Sequence, residues 1–206
     1  MTLDWLKAAQ RLRAIAQTGL TYTTDAYDRD RYGELTRLAE AMLADLVDAP
    51  PERVAEAFSL ERGYPTPKID VRMATFVNRR VLLVREASDG RWTLPGGWAD
   101  ETDTPRQAAE RETREESGYV VRATRLVAVN DRNSRAYRPR RFGNIYKLLF
   151  LGELRGGEPQ TSLETSEVGF FELDALPPLS TGRTLPDDIQ SALDVLENPE
   201  LPTRFD

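Results

Sequence analysis

Residues 94–119 read LPGGWADETDTPRQAAERETREESGY and carry the most informative pattern in the chain. Three glutamates in this stretch, Glu112, Glu115 and Glu116, are spaced i, i+3, i+4, so a helix would gather their carboxylates on one face. Like charges at that spacing repel each other by roughly 0.2 to 0.5 kcal/mol per pair. A solvated face with ion pairs to nearby arginines is one explanation, and a divalent cation held between the carboxylates is the other.

The residues around the glutamates predict a helix with defined ends. Thr104 can cap the first turn, Pro105 suits the first helical position, and Gln107 completes a capping box. Gly118 supplies the left-handed residue at which many helices end. The glutamates are therefore expected on a helix that begins after Thr104 and ends before Gly118.

The composition restricts the chemistry that the protein can perform. The 206 residues are 40% hydrophobic and 30% charged, as in ordinary globular proteins, but the chain contains neither Cys nor His. This excludes disulfides, thiol nucleophiles, Ser-His and Cys-His constellations and the usual zinc ligands. A bound metal must be held by oxygen, which suits hard ions such as Mg²⁺, Mn²⁺ or Ca²⁺.

Charge and hydropathy narrow the class of partner. The net charge of -6 gives no global reason to bind nucleic acid or an anionic membrane. No apolar run approaches the roughly 20 residues that cross a bilayer, and Asp4, Lys7, Arg11 and Arg13 interrupt any signal-peptide core. We therefore expect a cytoplasmic protein without a membrane partner.

Hydrophobic periodicity divides the chain into two parts. The first part shows two helical stripes, formed by Leu6, Ala9, Leu12, Ile15 and Ala16 and by Leu35, Leu38, Ala39, Met42, Leu43 and Leu46. A third short helix is expected near Pro51, and the stretch RGYPTP at residues 62–67 cannot continue a helix. We predict a helical N-terminal domain over residues 1–64, with dimerisation, a lid over the nucleotide or simple stabilisation as its possible roles.

The second predicted domain, residues 65–206, is rich in β-forming segments that alternate with two helices. These segments are KIDVRMATFV, VLLVRE, VVRATRLVAVN, NIYKLLFLGEL and EVGFFEL, and a last helix carries Ile189, Leu193 and Leu196 on one face. Strands interleaved with helices favour an α+β fold in which a mixed sheet is covered by helices on its faces.

The glutamate helix and its preceding loop match a known family pattern. From Gly97 to Tyr119 the spacing is G-x5-D-x7-R-E-T-x-E-E-x-G-Y. It resembles the Nudix box of the Nudix hydrolases, G-x5-E-x7-R-E-U-x-E-E-x-G-U, along its whole length. Two positions depart from the pattern, because Asp103 stands where the family usually has Glu and Thr113 stands where it usually has an aliphatic residue.

The resemblance implies a Nudix α/β/α sandwich in which water cleaves a diphosphate linked to a variable group X, with Mg²⁺ or Mn²⁺ bound. The metal ligands would be Glu112, Glu115 and Glu116, and the catalytic residues would be Arg111, Glu112, Glu116 and Glu164. Arg111 could orient one carboxylate through a charge-assisted bond. With histidine absent, the general base would be a carboxylate or a metal-bound hydroxide, and Glu112 is the candidate within the box. A loop built on Gly96 and Gly97 could admit a phosphate or metal beside the helix.

A second acidic segment lies outside the box, within residues 162–180. Glu164 and Glu167 precede a predicted strand there. Members of the family often add an acidic residue from this region to the metal site or use it as the base, which makes Glu164 the candidate. The alternative is that both are solvated loop residues.

The loop at residues 131–146, DRNSRAYRPRRFGNIY, interleaves five arginines with aromatic residues. Guanidinium groups bind phosphates bidentately and aromatic rings stack on bases, so the loop could form a nucleotide-binding rim or contact a single RNA strand. Arg132 and Arg138 are the predicted contacts. A solvated hairpin loop that balances an acidic protein is the alternative.

The resemblance extends to the Nudix subgroup that has a helical N-terminal domain and includes CDP-choline pyrophosphatases. It is carried by AIAQTGLTYTTDAYDRDRYGEL, NIYKLLFLGELRGGEP and FFELDALPPLSTGR. The subgroup implies a homodimer and a nucleotide-type substrate, such as CDP-choline, ADP-ribose or a nucleotide sugar. The competing hypotheses are a nucleotide-sensing regulator without catalysis and an enzyme that trims RNA 3′ ends or removes caps.

Overall fold

The structure of the protein, a computed structural model, describes residues 3–59, 61 and 63–206. The chain divides into two compact units, which we call the helical unit (residues 1–67 with 140–144) and the sheet unit (residues 68–139 with 145–206). The segment 140–144, which the sequence analysis assigned to the second domain, thus belongs to the helical unit. Arg62, the first residue of the RGYPTP stretch, lies outside the described residues.

Three helices build the described part of the helical unit: α1 (Trp5–Tyr22), α2 (Ala26–Val47) and α3 (Pro51–Phe58). The side chains of Asp4 and Asp25 accept backbone amide hydrogens at the starts of α1 and α2, and Pro51 occupies the first turn of α3. The predicted helices of the first part of the chain are therefore confirmed.

The core of the helical unit is small and includes a buried arginine. Its fully buried apolar cluster consists of Leu6, Ala9, Leu43, Ala44, Val54 and Phe58. The Arg13 guanidinium carbon lies 3.4 Å from the centroid of the Phe58 ring, and Nε pairs with Glu40 at 3.2 Å. Ile15 of the predicted stripe is exposed instead, because the buried side of α1 is occupied at Arg13 by this stacked and paired guanidinium.

Large apolar side chains of the helical unit remain exposed. They are Leu3, Trp5, Ile15, Tyr22, Tyr27, Leu38, Leu46 and Tyr64. Leu38 is 57% exposed on α2, and Leu46 lies two turns farther along the same face. Several exposed apolar side chains in one small unit are typical of a surface that binds another protein chain.

The described part of the sheet unit contains seven strands and two further α-helices: β1 (Lys68–Val77), β2 (Arg80–Glu86), β3 (Trp92–Thr93), α4 (Pro105–Ser117), β4 (Tyr119–Asp131), β5 (Ile145–Gly157), β6 (Thr165–Phe171), α5 (Pro186–Glu197) and β7 (Arg204–Phe205). The order across the sheet is β3-β2-β1-β5-β4-β7, with β6 added to β2. The pairs β1–β5 and β4–β7 are parallel and the others antiparallel, so the sheet is mixed.

One helix covers each face of the sheet. Ala108 and Ala109 of α4 pack against Val71 and Met73 of β1, while the opposite face packs against α5 around Ile189. This arrangement confirms the predicted α+β fold with a mixed sheet between helices. No helix in the described part of the chain is long and apolar enough to cross a membrane.

Candidate active site

The ends of α4 are those that the sequence predicts. The Thr104 hydroxyl accepts the amide hydrogen of Gln107 at 3.3 Å, and the Gln107 side chain accepts the amide hydrogen of Thr104 at 3.0 Å. Pro105 stands in the first turn and Gly118 ends the helix with φ of 75°. The helix that carries the three glutamates is therefore capped at both ends, and its register is fixed.

The glycine loop, residues 94–97, is pressed between β1 and α4. Gly97 accepts the amide hydrogen of Val71 at 2.8 Å, and a Cβ atom on Gly96 would overlap the Val71 carbonyl oxygen. A Cβ atom on Gly97 would lie 2.8 Å from Oε2 of Glu112. The two glycines thus permit the backbone to approach the glutamate helix as the sequence predicts.

The two residues that depart from the box pattern, Asp103 and Thr113, both form hydrogen bonds. The buried Thr113 hydroxyl donates to the carbonyl oxygen of Ala109 at 2.7 Å, so its polar group costs little at an apolar position. Asp103 Oδ2 accepts a hydrogen bond from Nε of Arg111 at 2.9 Å. The shorter Asp103 side chain therefore reaches the box arginine across eight residues of chain.

Arg111 sits among four carboxylates. Its Nη1 donates to Glu112 at 2.9 Å and to Glu115 at 3.0 Å, and Nη2 lies 3.1 Å from Asp100. The bond to Asp103 and these further carboxylates outweigh desolvation and raise the pKa of Arg111. A guanidinium thus relieves part of the repulsion on this helix face and fixes the orientation of two predicted ligands.

Glu116 is different, because it is only 5% exposed. Its Oε2 accepts the amide hydrogen of Gly96 at 2.9 Å. Burial raises the pKa of Glu116 to about 7, although Arg72 and the Gly96 bond oppose the rise, and the charges of Glu112 and Glu86 add to it. Glu116 is thus a buried carboxylate whose charge is incompletely compensated.

The structure brings the three predicted ligands to one helix face without closing them around a point. Within residues 3–59, 61 and 63–206, no three acidic side chains form a ready-made metal cluster. Glu112 and Glu115 turn toward Arg111, while Glu116 turns toward the glycine loop. Burial raises the pKa of Glu112 as well. A hard divalent cation fits this donor set, because all donors are carboxylate oxygens and a bound cation would compensate the charge that burial disfavours on Glu112 and Glu116.

Glu86 and Arg72 are site neighbours that the sequence analysis missed. Glu86, at the end of β2, is 6% exposed and forms an ion pair with Nε of Arg183 at 2.9 Å. Burial raises the pKa of Glu86. The charges of Glu86 and Arg72 both act on Glu116. Their signal was present in the sequence as charged residues within the otherwise apolar segments VLLVRE and KIDVRMATFV.

Glu164 lies in the loop before β6, and its side chain is exposed. Its amide donates to the Ser162 hydroxyl at 3.1 Å, and the neighbouring Thr165 hydroxyl donates to the carbonyl oxygen of Glu116 at 2.7 Å. The Glu164 carboxylate also contributes to the raised pKa of Glu86. The structure therefore places Glu164 on the Glu86 and Glu116 side of α4.

The two predicted arginine contacts in the 131–146 loop engage backbone oxygens. Arg132 is 3% exposed and donates to the carbonyl oxygens of Pro139 and Gly182. Arg138 donates to the carbonyl oxygen of Tyr137 at 2.9 Å. Both arginines thus stabilise the loop itself, and their contact with a nucleotide stays a prediction.

Two family models match the chain. Residues 3–58 match a UDP-X-like, N-terminal oligomerisation domain, and residues 66–189 match the NUDIX domain. The second match covers the glycine loop, α4 and the Glu164 loop, so every group described above lies inside it.

Relatives cover nearly the whole chain. A protein of Bacillus subtilis (strain 168), which carries the provisional name ADP-ribose pyrophosphatase YjhB, is 41% identical over 98% of this chain and 97% of its own length. A crystal structure of a UDP-X diphosphatase is 33% identical, with a TM-score of 0.64, and covers 98% of both chains. An ADP-ribose pyrophosphatase from Streptococcus suis 89-1591 is 39% identical, with a TM-score of 0.61, over 68% of this chain and 100% of that one.

Proposed function

The chain belongs to the Nudix hydrolase family, and from that premise we propose that it is a Mg²⁺- or Mn²⁺-dependent pyrophosphohydrolase of nucleoside diphosphates linked to a small moiety. The observation that carries the proposal is the buried Glu116, which the Gly96 amide holds beside the glycine loop on the helix that also carries Glu112 and Glu115. Two relatives that span nearly the whole chain support the substrate class, because one is named for ADP-ribose and the other for UDP-X. Both compounds carry a diphosphate between a nucleoside and a second group.

Glu112, Glu115 and Glu116 would hold the divalent ion. When bound, the ion neutralises the diphosphate oxygens and makes a nucleophile of water near neutral pH. Arg111 holds Glu112 and Glu115 in their orientations, and Gly96 holds Glu116 through its amide. Gly96 and Gly97 let the loop backbone pack directly against β1 and Glu112, where a side chain would collide.

Cleavage requires a base, because the attacking water must lose a proton. The water oxygen forms a bond to one phosphorus while the bond from that phosphorus to the bridging oxygen breaks, giving a nucleoside monophosphate and a phosphorylated X group. The chain has no histidine, and we assign the role of base to a carboxylate. Glu112 is the candidate within the box, and Glu164 is the candidate outside it because its exposed carboxylate can pass the proton to solvent.

We also propose that the protein is a homodimer formed through the helical unit. The match to an oligomerisation domain over residues 3–58 supports this assembly, as do the exposed apolar side chains of α1 and α2. The cytoplasmic location stays a prediction from composition.

The test is a substrate panel with purified protein and either Mg²⁺ or Mn²⁺. We expect a nucleoside monophosphate to be released from ADP-ribose or a UDP-sugar, with CDP-choline and nucleoside triphosphates as comparison substrates. Chelation of the metal should abolish release. Folded protein that is inactive on the whole panel with both metals would contradict the proposal.

The same experiment separates the alternatives. Tight nucleotide binding without turnover would favour a non-catalytic regulator, and turnover of RNA ends alone would favour RNA processing. The structure weakens the motive for RNA binding, because Arg132 and Arg138 bind backbone oxygens and Arg135 pairs with Asp187.

A further inference from the structure

A group of buried charged side chains lies behind the glycine loop, and the proposed reaction does not use it. Asp70, Arg72 and Lys147 are 8%, 6% and 3% exposed. Asp70 stands opposite Lys147 in the parallel β1–β5 ladder, and Arg72 follows two residues later on the same face. Burying charges is costly even when they are paired, so a role beyond packing is expected.

Asp70 fixes one side of the Arg72 guanidinium. Nε and Nη2 of Arg72 each donate to one oxygen of the Asp70 carboxylate, both at 3.0 Å, and Lys147 binds the same carboxylate at 2.5 Å. Burial alone would raise the pKa of Asp70, but the two cations outweigh it and bring the pKa to about 2. The ionised carboxylate therefore holds the guanidinium in a single bidentate orientation.

The other side of the guanidinium faces the glycine loop. Nη1 of Arg72 donates to the carbonyl oxygen of Leu94 at 3.1 Å. Gly96 follows Leu94 by two residues, and its amide donates a hydrogen bond to Glu116. The positive charge of Arg72 also attracts Glu116. One buried side chain thus touches the loop that orients Glu116 and acts on the Glu116 charge.

The loop is anchored a second time from the start of α5. The Thr184 hydroxyl accepts the amide hydrogen of Leu94 at 3.1 Å. Asp188, four residues later, accepts the hydroxyl hydrogen of Tyr137 at 2.8 Å, and Lys147 lies 5.2 Å from the centroid of the Tyr137 ring. Both backbone groups of Leu94 are thus hydrogen-bonded, the amide to Thr184 before α5 and the carbonyl oxygen to Arg72.

We propose that Arg72 is a positioning residue, which fixes the glycine loop at Leu94 so that the Gly96 amide presents Glu116 in its reactive orientation. Backbone bonds from β1 to Pro95 and Gly97 set the distance between loop and sheet. Arg72 adds the constraint on orientation, because its guanidinium is itself immobilised by Asp70.

The test compares Arg72→Met with Val127→Ala, a core substitution in the same unit whose side chain lies in the α5-facing cluster. The measurements are the melting temperature, Mn²⁺ affinity by electron paramagnetic resonance, and kcat and KM on ADP-ribose. Both variants should melt at a lower temperature. Only Arg72→Met should lose kcat, by roughly 100-fold with KM nearly unchanged, and bind Mn²⁺ roughly 10-fold more weakly, as for groups that orient metal ligands.

Arg72→Lys provides the conservative variant, because it keeps the charge on a single donor nitrogen but loses the planar fork of the guanidinium. It should recover part of the lost kcat, to within roughly 10-fold of the parent protein. Unchanged kcat and Mn²⁺ affinity in folded Arg72→Met, or equal losses in Val127→Ala, would overturn the positioning role. If Arg72→Met does not fold, Arg72→Lys is judged by the same two criteria.

This role rests on the proposed function for its kinetic measurement only. If the parent protein hydrolyses no substrate, the proposed function fails, and the Mn²⁺ affinities of the parent and the two variants still decide whether Arg72 positions Glu116.

Discussion

The helical unit and the sheet unit depart from ordinary globular structure in opposite ways. The helical unit exposes large apolar side chains, such as Trp5 and Leu38. The sheet unit buries charged ones, such as Arg72 and Glu116, which proteins rarely place inside. Each departure costs stability in the isolated chain. We expect the first unit to cover its exposed apolar side chains with a second copy of the chain, whereas in the second unit the incompletely compensated charge of Glu116 calls for a cation.

The largest expected effect on this comparison comes from removing the buried charge of Glu116 while keeping the shape of its side chain. Glu116→Gln should lower kcat about 10³-fold, equivalent to about 4 kcal/mol of transition-state stabilisation, because a neutral amide is a poor ligand for a hard cation. Steady-state turnover on ADP-ribose measures the loss.

The matched control is Glu110→Gln, which lies on the same helix and keeps an oxygen for the Ala123 amide. It should retain activity. Equal activity of the two variants would remove Glu116 from the site.

A second test concerns the pH dependence of stability without metal. The folded state holds the pKa of Glu116 at about 7, above its ordinary value of 4.5, so the folded state binds this proton more tightly than the unfolded state. The contribution to the free energy of unfolding is therefore fully present below pH 4.5 and is lost as pH rises to 7, by about 3 kcal/mol. Urea unfolding in chelator at pH 5 and pH 8 measures it.

Glu116→Gln supplies the control for that measurement. The side-chain amide of this variant does not titrate. The drop in unfolding free energy between the two pH values should therefore be smaller in the variant by the amount that Glu116 contributes. An undiminished drop would assign the pH dependence to other groups.

The third test addresses the exposed apolar face of the helical unit. Replacing Leu38 and Leu46 with Ala should weaken self-association by about 2 kcal/mol if these side chains are buried between two copies of the chain. Analytical ultracentrifugation over a dilution series measures the dissociation constant. Leu163→Ala, at a fully exposed loop position of the sheet unit, should leave it unchanged. Equal association by all three proteins would place the interface elsewhere.

The smallest expected effect tests whether α4 depends on its cap. Thr104→Ala should lower the free energy of unfolding by about 1 kcal/mol, because the first turn loses its side-chain acceptor. Thr104→Ser keeps the acceptor and should lower the free energy of unfolding by about a few tenths of a kcal/mol or less. Chemical denaturation of both variants decides, and a loss shared by Ser would mean that the methyl group, not the hydrogen bond, stabilises the turn.

Local patterns in the sequence predict the parts of the fold that depend on local chemistry. The capping box at Thr104, the left-handed Gly118 and the apolar strand at residues 68–77 are all confirmed. These features follow from neighbouring residues, so a single sequence suffices to identify them. The two-residue strands β3 and β7 were missed, because such short segments carry no periodic signal.

Contacts between distant residues were not predictable. The parallel pairing that sets Asp70 opposite Lys147 joins segments 77 residues apart. For the same reason Glu86 and Arg72 were absent from the predicted site, although both are charged residues in strands that are otherwise largely apolar. The nucleotide contacts of the arginines in the 131–146 loop stay a prediction, because composition alone does not distinguish guanidinium groups that bind phosphate from those that bind their own backbone.

Gly96 sets a limit on how this protein can evolve. A Cβ atom there would overlap the Val71 carbonyl oxygen, and φ of 139° is unfavourable for every side chain. Every amino acid reachable from a glycine codon by one nucleotide change carries a Cβ atom, so no single mutational step from Gly96 preserves the local backbone. Position 96 is therefore confined to glycine, whichever of the synonymous codons encodes it.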